Sequence, residues 1–284
     1  MQRLRINHLT VYQFSSPVTL QPHRLLLRPR EGHDVRIESS QLDILPAHRT
    51  KWHRDVFDNS VAVVSFRETA QRLAIGSKVI IQHYDVAPLD FIVEDYAVRY
   101  PFQYQPEDRV DLAPFQQLVY PHQRAVLWQW LEQLGLTQGP VETYVLLDRL
   151  NRTIASQFQY VVREEPGVQP PAQTLTSRSG SCRDYTTLFI EACRTLGLAS
   201  RFVSGYSHTP ATEADNATTH AWAEVYLPGP GWKGFDPTAG ELTGSRHIPV
   251  AVARHPESVP PVAGSFVGPN IIPRLTVAVQ VTAI

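Results

Sequence analysis

Three residues of this chain have the types and surroundings that suit nucleophilic catalysis: Cys182, His220 and Asp236. Apolar residues after Cys182 recur with helical spacing and Ser181 is a favoured N-cap residue, which predicts a helix from about Ser181 to Leu196. A thiol in the first turn of a helix faces unpaired N–H groups and the positive end of the helix dipole, and both favour the thiolate. The position therefore favours a cysteine nucleophile.

The only other cysteine, Cys193, falls in the apolar stripe of the same predicted helix. Free cysteines in such positions pack as small hydrophobic residues, so we predict that Cys193 belongs to the core. The two thiols would lie about three helical turns apart, too far for a disulfide.

A cysteine nucleophile needs an imidazole base, and that imidazole needs a third group to orient it. His220 begins a predicted strand and Asp236 ends the next one, with a Pro-Gly-Pro-Gly turn at 228–231 between them. In a register that places both on one face, their Cβ atoms would be about 4.5–8 Å apart. We therefore predict a hydrogen bond from Nδ1–H of His220 to Asp236, which a register slip of one residue would abolish.

Two further residues are candidates for substrate binding. Trp222 flanks His220 and is predicted to form a wall of the cleft. Asp184 follows Cys182 closely and could support the site, although an acid in the first turn is also favoured by the helix dipole alone. We predict no metal site, because the paired histidines of the chain, including His247 with His255, lack nearby carboxylate or cysteine partners in sequence. A G-x-G-x-x-G match at 229–234 lies inside the hairpin with no helix after it, so no cofactor is predicted.

The elements that must position these residues divide the chain into four parts. Apolar alternation with period two and frequent turn residues predict an antiparallel β-sandwich domain over residues 1–90. Residues 91–121, rich in proline and aromatics, are predicted to form a connecting segment. Residues 122–245 form the predicted core, and 246–284 a tail with one strand that returns to the body. The predicted fold class is α+β.

Within the core, two helical patterns precede the cysteine helix, the first ending at Gly135 and the second beginning at Pro140. Residues 163–177 are predicted to be a surface loop. Three strands should follow the cysteine helix, at about 199–206, 220–227 and 232–236, with a polar loop at 209–219 before the second of them.

Composition excludes some classes of partner. Of the 284 residues 19% are charged, and the formal net charge is −1, so neither nucleic acid nor an anionic membrane is an expected partner. The first residues lack an apolar signal-peptide core and no apolar run reaches 18 residues, from which we expect a soluble, cytoplasmic protein. The oligomeric state stays open.

The order and spacing of three blocks resemble the transglutaminase-like superfamily of papain-like cysteine enzymes. The blocks are Cys182 at a helix start, Thr-His-Ala-Trp-Ala-Glu-Val at 219–225 and Gly-Trp-Lys-Gly-Phe-Asp-Pro-Thr at 231–238. Residues 18–30 are similar to the β-domain that precedes this core in bacterial members, and residues 246–264 are similar to their tails. One departure is Ala-Arg-His-Pro at 253–256, where relatives often carry Gly-Arg-Asp-Tyr.

The resemblance implies a papain-like core behind the β-sandwich and acyl transfer through a Cys-His-Asp triad and a thioester. Cys182 would attack an amide carbonyl, His220 would hold the thiolate and protonate the leaving amine, and Asp236 would orient His220. The backbone N–H of Cys182 would be one oxyanion donor; the second is not identified. Three functions stay open: a protease or amide hydrolase, which we favour because an open cleft admits water, a transglutaminase that passes a glutamine acyl group to an amine, and a catalytically silent binding module. The expected substrate is a peptide or protein.

Overall fold

A computed structural model of the chain describes residues 1–84, 89–163, 165, 167–208 and 219–284. Its first part consists of strands, as the alternation of apolar residues predicts. In chain order these are β1 (Gln2–Leu20), β2 (His23–Leu25), β3 (Val35–Leu45), β4 (His48–Arg54), β5 (Ser60–Phe66) and β6 (Thr69–His83).

The segment after the sandwich contains more regular structure than its prolines suggest. Helix α1 (Pro106–Gln116) lies within the predicted connecting segment. Pro106 stands at the first helical turn, where its missing N–H is not needed, and Glu107 and Asp108 follow at the positive end of the dipole. The next elements are β7 (Arg99–Tyr100), which precedes α1, then α2 (Arg124–Gln133), β8 (Val141–Glu142) and α3 (Thr143–Gln157).

The second predicted helix begins three residues late, because residues 141 and 142 pair with β7 before α3 starts. The predicted surface loop at 163–177 is partly wrong, since it ends in a short helix. The elements here are β9 (Gln159–Tyr160), α4 (Pro171–Ser177), β10 (Ser179–Gly180) and α5 (Cys182–Thr195). Helix α5 matches the predicted cysteine helix to within one residue at each end.

The next five strands after α5 include the three predicted ones. The five strands are β11 (Ser200–Ser207), β12 (Thr219–Leu227), β13 (Gly231–Asp236), β14 (Glu241–Leu242) and β15 (His247–Ala253). They form one antiparallel sheet in the order β14-β13-β12-β11-β15. Strand β15 therefore carries the core past the predicted boundary at residue 245. Of the predicted polar loop at 209–219, residues 209–218 lie outside the described residues.

The last three strands are β16 (Val262–Ala263), β17 (Phe266–Val267) and β18 (Arg274–Ala283), and all three join the sandwich. One sandwich sheet has the order β3-β6-β1, with β17 and β18 both on the other edge of β1. The second sheet has the order β16-β2-β5-β4. The strand predicted near the end of the chain thus pairs with the first strand.

The buried side chains of β1 belong to two different apolar clusters along the length of the strand. Phe14, Val18 and Leu20 pack between the two sandwich sheets. Leu4 and Ile6 instead join a larger apolar cluster with α5 and the core sheet. The sandwich and the core therefore share one hydrophobic interior, and the first sandwich sheet covers part of the core.

Helix α5 is the centre of that interior. Every residue from Asp184 to Thr195 is buried, and the helix contacts β11, β12 and all four other helices. This packing on all sides fixes the direction of α5 and therefore the place of Cys182 at its start. No helix in the described part of the chain is long and apolar enough to span a membrane.

Candidate active site

The turn that carries Cys182 is held from beneath by Asp184. Oδ2 of Asp184 accepts hydrogen bonds of 2.8 Å from both the backbone N–H and the hydroxyl of Ser181. Gly180 must be small here, because a Cβ on it would lie 2.9 Å from Cβ of Asp184. Cys182 is the first residue of α5 and is half-buried, so its thiol lies at the edge of the core, at the positive end of the helix dipole.

Asp184, one of the two substrate-binding candidates, is fully buried and supports the turn that carries Cys182. Its Oδ1 lies 2.8 Å from Nη1 of Arg163 and accepts a 2.7 Å hydrogen bond from the N–H of Gln169. Both oxygens of Asp184 are occupied by these contacts and by Ser181, so neither is left for a ligand.

The register of the β12–β13 hairpin brings His220 and Asp236 together. Ala223 faces Phe235 and Glu224 faces Gly234, which places His220 and Asp236 diagonally on one face. Nε2 of His220 lies 2.7 Å from Oδ2 of Asp236. The predicted pairing is therefore present, but the ring uses Nε2 and not Nδ1, since ring orientation is not encoded in strand register.

With Nε2 directed at Asp236, Nδ1 of His220 is the nitrogen left for Cys182. Burial disfavours the imidazolium, but the hydrogen bonds to Asp236 and Cys182 outweigh it and raise the pKa of His220 to about 10. Asp236 shows the reverse effect: its burial is outweighed by the hydrogen bonds of His220 and His247, which hold its pKa below the usual range. The contacts among Cys182, His220 and Asp236 therefore favour an imidazolium on His220 beside a carboxylate on Asp236.

Trp222 does not form an open wall of the cleft, because it is only 2% exposed. Its ring lies 6.2 Å from that of His220 and packs edge-on against His247 at 5.2 Å. Strand alternation places Trp222 on the same face as His220, but β12 is the central strand of the sheet, and the indole is buried against the two histidines. In the structure Trp222 supports the two imidazoles.

Two neighbours of the cluster are absent from the predicted site. His247, at the start of β15, is 5% exposed and has its Nε2 3.1 Å from the same Oδ2 of Asp236. Asp236 lies eleven positions earlier and on another strand, so the sequence does not indicate its contact with His247. Tyr160, on β9, is a neighbour of Cys182: burial, the charge of Cys182 and a hydrogen bond to it together raise the pKa of Tyr160 to about 12. An exposed aromatic residue in a two-residue strand carries no sequence signal for this role.

Three groups of the cluster could by their spacing hold a metal ion. The candidate ligand atoms of His220, Asp236 and His247 all lie within 4.8 Å of one another. Both imidazoles, however, direct Nε2 at one carboxylate oxygen at hydrogen-bonding distance. A metal would require neutral, unprotonated nitrogens there, and the raised pKa of His220 favours the proton. The arrangement is accounted for by two N–H donors on one oxygen.

A thiol at the start of a central helix, beside an antiparallel sheet that bears a histidine and an acid, is typical of the papain-like class of cysteine-protease folds. The chain belongs to the transglutaminase-like superfamily. The model of that superfamily matches residues 133–237, and the model of the bacterial transglutaminase-like N-terminal region matches residues 4–82.

Several known proteins are similar over nearly the full chain. An uncharacterized protein of Mycobacterium tuberculosis is 30% identical over 283 residues, covering 92% of this chain and 87% of its own. An uncharacterized protein of Mycobacterium leprae is 23% identical and covers 99% of both chains. A crystal structure of a protein of Cytophaga hutchinsonii, provisionally assigned as a cysteine protease, superimposes with a TM-score of 0.74 at 17% identity and covers 100% of this chain and 91% of the other. That likeness concerns the fold.

Proposed function

We propose that this protein is a cysteine-dependent acyl-transfer enzyme that hydrolyses amide bonds of peptides or proteins. The observation that carries the proposal is the continuous chain of contacts from Cys182 through His220 to Asp236. Cys182 is the nucleophile, His220 is the acid and base, and Asp236 orients His220.

In the first half-reaction the thiolate sulfur of Cys182 bonds to the carbonyl carbon and the carbonyl electron pair moves to oxygen. When the carbonyl forms again, the C–N bond breaks and Nδ1–H of His220 gives its proton to the leaving nitrogen. The products are a thioester and an amine, or ammonia from a carboxamide. His220 keeps its Nε2–H on Asp236 throughout, which holds the ring in place during the transfer.

The oxyanion of this step needs donors that are already oriented. The backbone N–H of Cys182 is one, since it lies at the start of α5. The phenol of Tyr160 is the second in our proposal, because it neighbours Cys182 and its pKa of about 12 keeps it protonated at neutral pH. A protonated phenol donates to an oxyanion without releasing its proton.

In the second half-reaction a water gives a proton to His220 and bonds to the thioester carbon. The C–S bond breaks, Cys182 leaves as the thiolate, and a free acid is released. Cys182 is only half-buried in this structure, so water has access to it, which favours hydrolysis. A primary amine in place of water would give a new amide, the transglutaminase reaction.

The experiment is incubation with a library of glutamine-containing and other amide peptides, with and without a primary amine, followed by mass spectrometry. Free-acid products from the wild type and none from Cys182→Ala are expected. Amine adducts would assign the protein as a transferase. If neither the wild type nor Cys182→Ala changed any peptide of a wide library, the result would favour a binding module that has kept the fold.

A further inference from the structure

A second histidine holds the carboxylate that orients His220. His247 lies at the start of β15, which is separated from β13 by two strands of the sheet, and Oδ2 of Asp236 joins the two. His220 and His247 contact that one oxygen at 2.7 Å and 3.1 Å. The other oxygen of Asp236 accepts the N–H of Thr238 at 2.9 Å.

The protonation of His247 follows from its other ring nitrogen. Nδ1 accepts a hydrogen bond from the N–H of Gly244 at 3.3 Å, so it carries no proton. Nε2 then carries the ring proton and donates it to Asp236. His220 and His247 thus place two ring donors on one carboxylate oxygen.

The ring of His247 is itself fixed on several sides. Trp222 packs edge-on against it, and Nε2 of the buried His83, at the end of β6, lies 3.3 Å from its carbonyl oxygen. His83 belongs to the sandwich, so the sandwich contacts the backbone of the residue that holds Asp236. These contacts leave His247 little freedom to move away from the carboxylate.

We infer that His247 is a positioning residue of the proposed active site, which fixes the carboxylate of Asp236 so that its oxygen meets Nε2 of His220. The N–H of Thr238 holds only Oδ1, from the backbone that follows Asp236, so the position of Oδ2 depends on the donors that reach it. With two donors from different strands on one oxygen, a single orientation is held. This inference rests on the proposed function, and its effect reaches Cys182 only through Asp236 and His220.

The test is the rate at which iodoacetamide alkylates Cys182, measured from pH 5 to pH 10 for the wild type, His247→Leu and His247→Gln. The reaction needs no substrate. The titratable and charged groups that face this path are Cys182, Tyr160, Arg183, His220, Asp236, His247 and His83. We expect His247→Leu to slow alkylation at neutral pH about tenfold and to shift its pH profile. His247→Gln, whose amide can donate to Asp236, should restore most of the alkylation rate and most of the wild-type pH profile.

Two controls separate positioning from general damage. His255→Leu makes the same change in the tail, at a partly buried histidine that contacts the hydroxyl of Tyr120, and should leave the profile unchanged. In an Asp236→Asn background, His247→Leu should add no further effect, since its route to Cys182 has been removed.

If the wild type is reactive and His247→Leu has the same pH profile, the inference is overturned and the proposed function stays intact. This holds even if the melting temperature of His247→Leu is lower. Additive effects of His247→Leu and Asp236→Asn would also overturn it. A wild-type Cys182 no more reactive than the cysteine of an unstructured peptide would overturn both the inference and the proposed function.

Discussion

Cys182 and Cys193 lie on one helix, yet only Cys182 reaches the surface. Cys193 is 0% exposed, and burial raises the pKa of its thiol. We expect iodoacetamide at neutral pH to label Cys182 well before Cys193 in the native protein, as peptide mapping by mass spectrometry would measure. After unfolding in urea the two should react at similar rates. Equal, slow labelling of both in the native state would count against a thiolate at Cys182.

Loss of one hydroxyl should test the second oxyanion donor. Tyr160→Phe should lower kcat on the best library peptide by about 10²-fold and change KM little, because an oxyanion donor acts in the transition state. Tyr160 is 48% exposed, so the fold should not change. Tyr96→Phe removes a phenol in the segment before the core, where Tyr96 packs against Phe102, and is the matched control. Equal kinetics for Tyr160→Phe and the wild type would remove Tyr160 from the mechanism.

The proton of His220 should stabilise the fold in a way that depends on pH. Its pKa rises from 6.5 to about 10 on folding, with burial outweighed by the hydrogen bonds to Asp236 and Cys182. A raised pKa contributes stability that is complete below pH 6.5 and is lost as the pH rises through about 10. The difference in free energy of unfolding between the wild type and His220→Gln should therefore shrink across this range in urea titrations. A difference that grows with pH would contradict the ion-pair assignment.

Gly205 provides a test of the packing beneath the two histidines. A Cβ on this residue of β11 would lie 2.3 Å from the carbonyl oxygen of Ile248 and 2.5 Å from the ring of Trp222. Gly205→Ala should lower the free energy of unfolding by about 1–3 kcal/mol. Gly76→Ala, on β6, is the control, since its nearest atom would be at 3.6 Å. Chemical denaturation measures both, and equal effects of the two would show that the strand adapts.

The parts of the site that depend on local sequence could be predicted. Helix α5 follows from an apolar period and an N-cap serine, and the pairing of His220 with Asp236 follows from a tight turn and the alternation of side chains. The sequence left two roles open for Asp184, because a first-turn acid has the same sequence signal whether it binds a ligand or the backbone of its own helix.

The parts that depend on distant contacts could not. His247 reaches Asp236 because β15 pairs with β11. No local sequence pattern predicts which edge of a sheet a later strand will join. Tyr160 is placed by a two-residue parallel pairing with β10, shorter than any periodic signal. Helix α1 was not predicted, because prolines usually indicate a break in a helix. Here they stand at its first and last turns.

Strand β1 pairs along most of its length with β6 on one side and with β18 on the other. On the ribosome, β6 is available early, whereas β18 is made only after every residue of the papain-like core. In the interval the second edge of β1 is unpaired, and an open strand edge can join another chain. The nascent sandwich should therefore need protection by a chaperone, and faults in its assembly should appear as aggregates joined through β1.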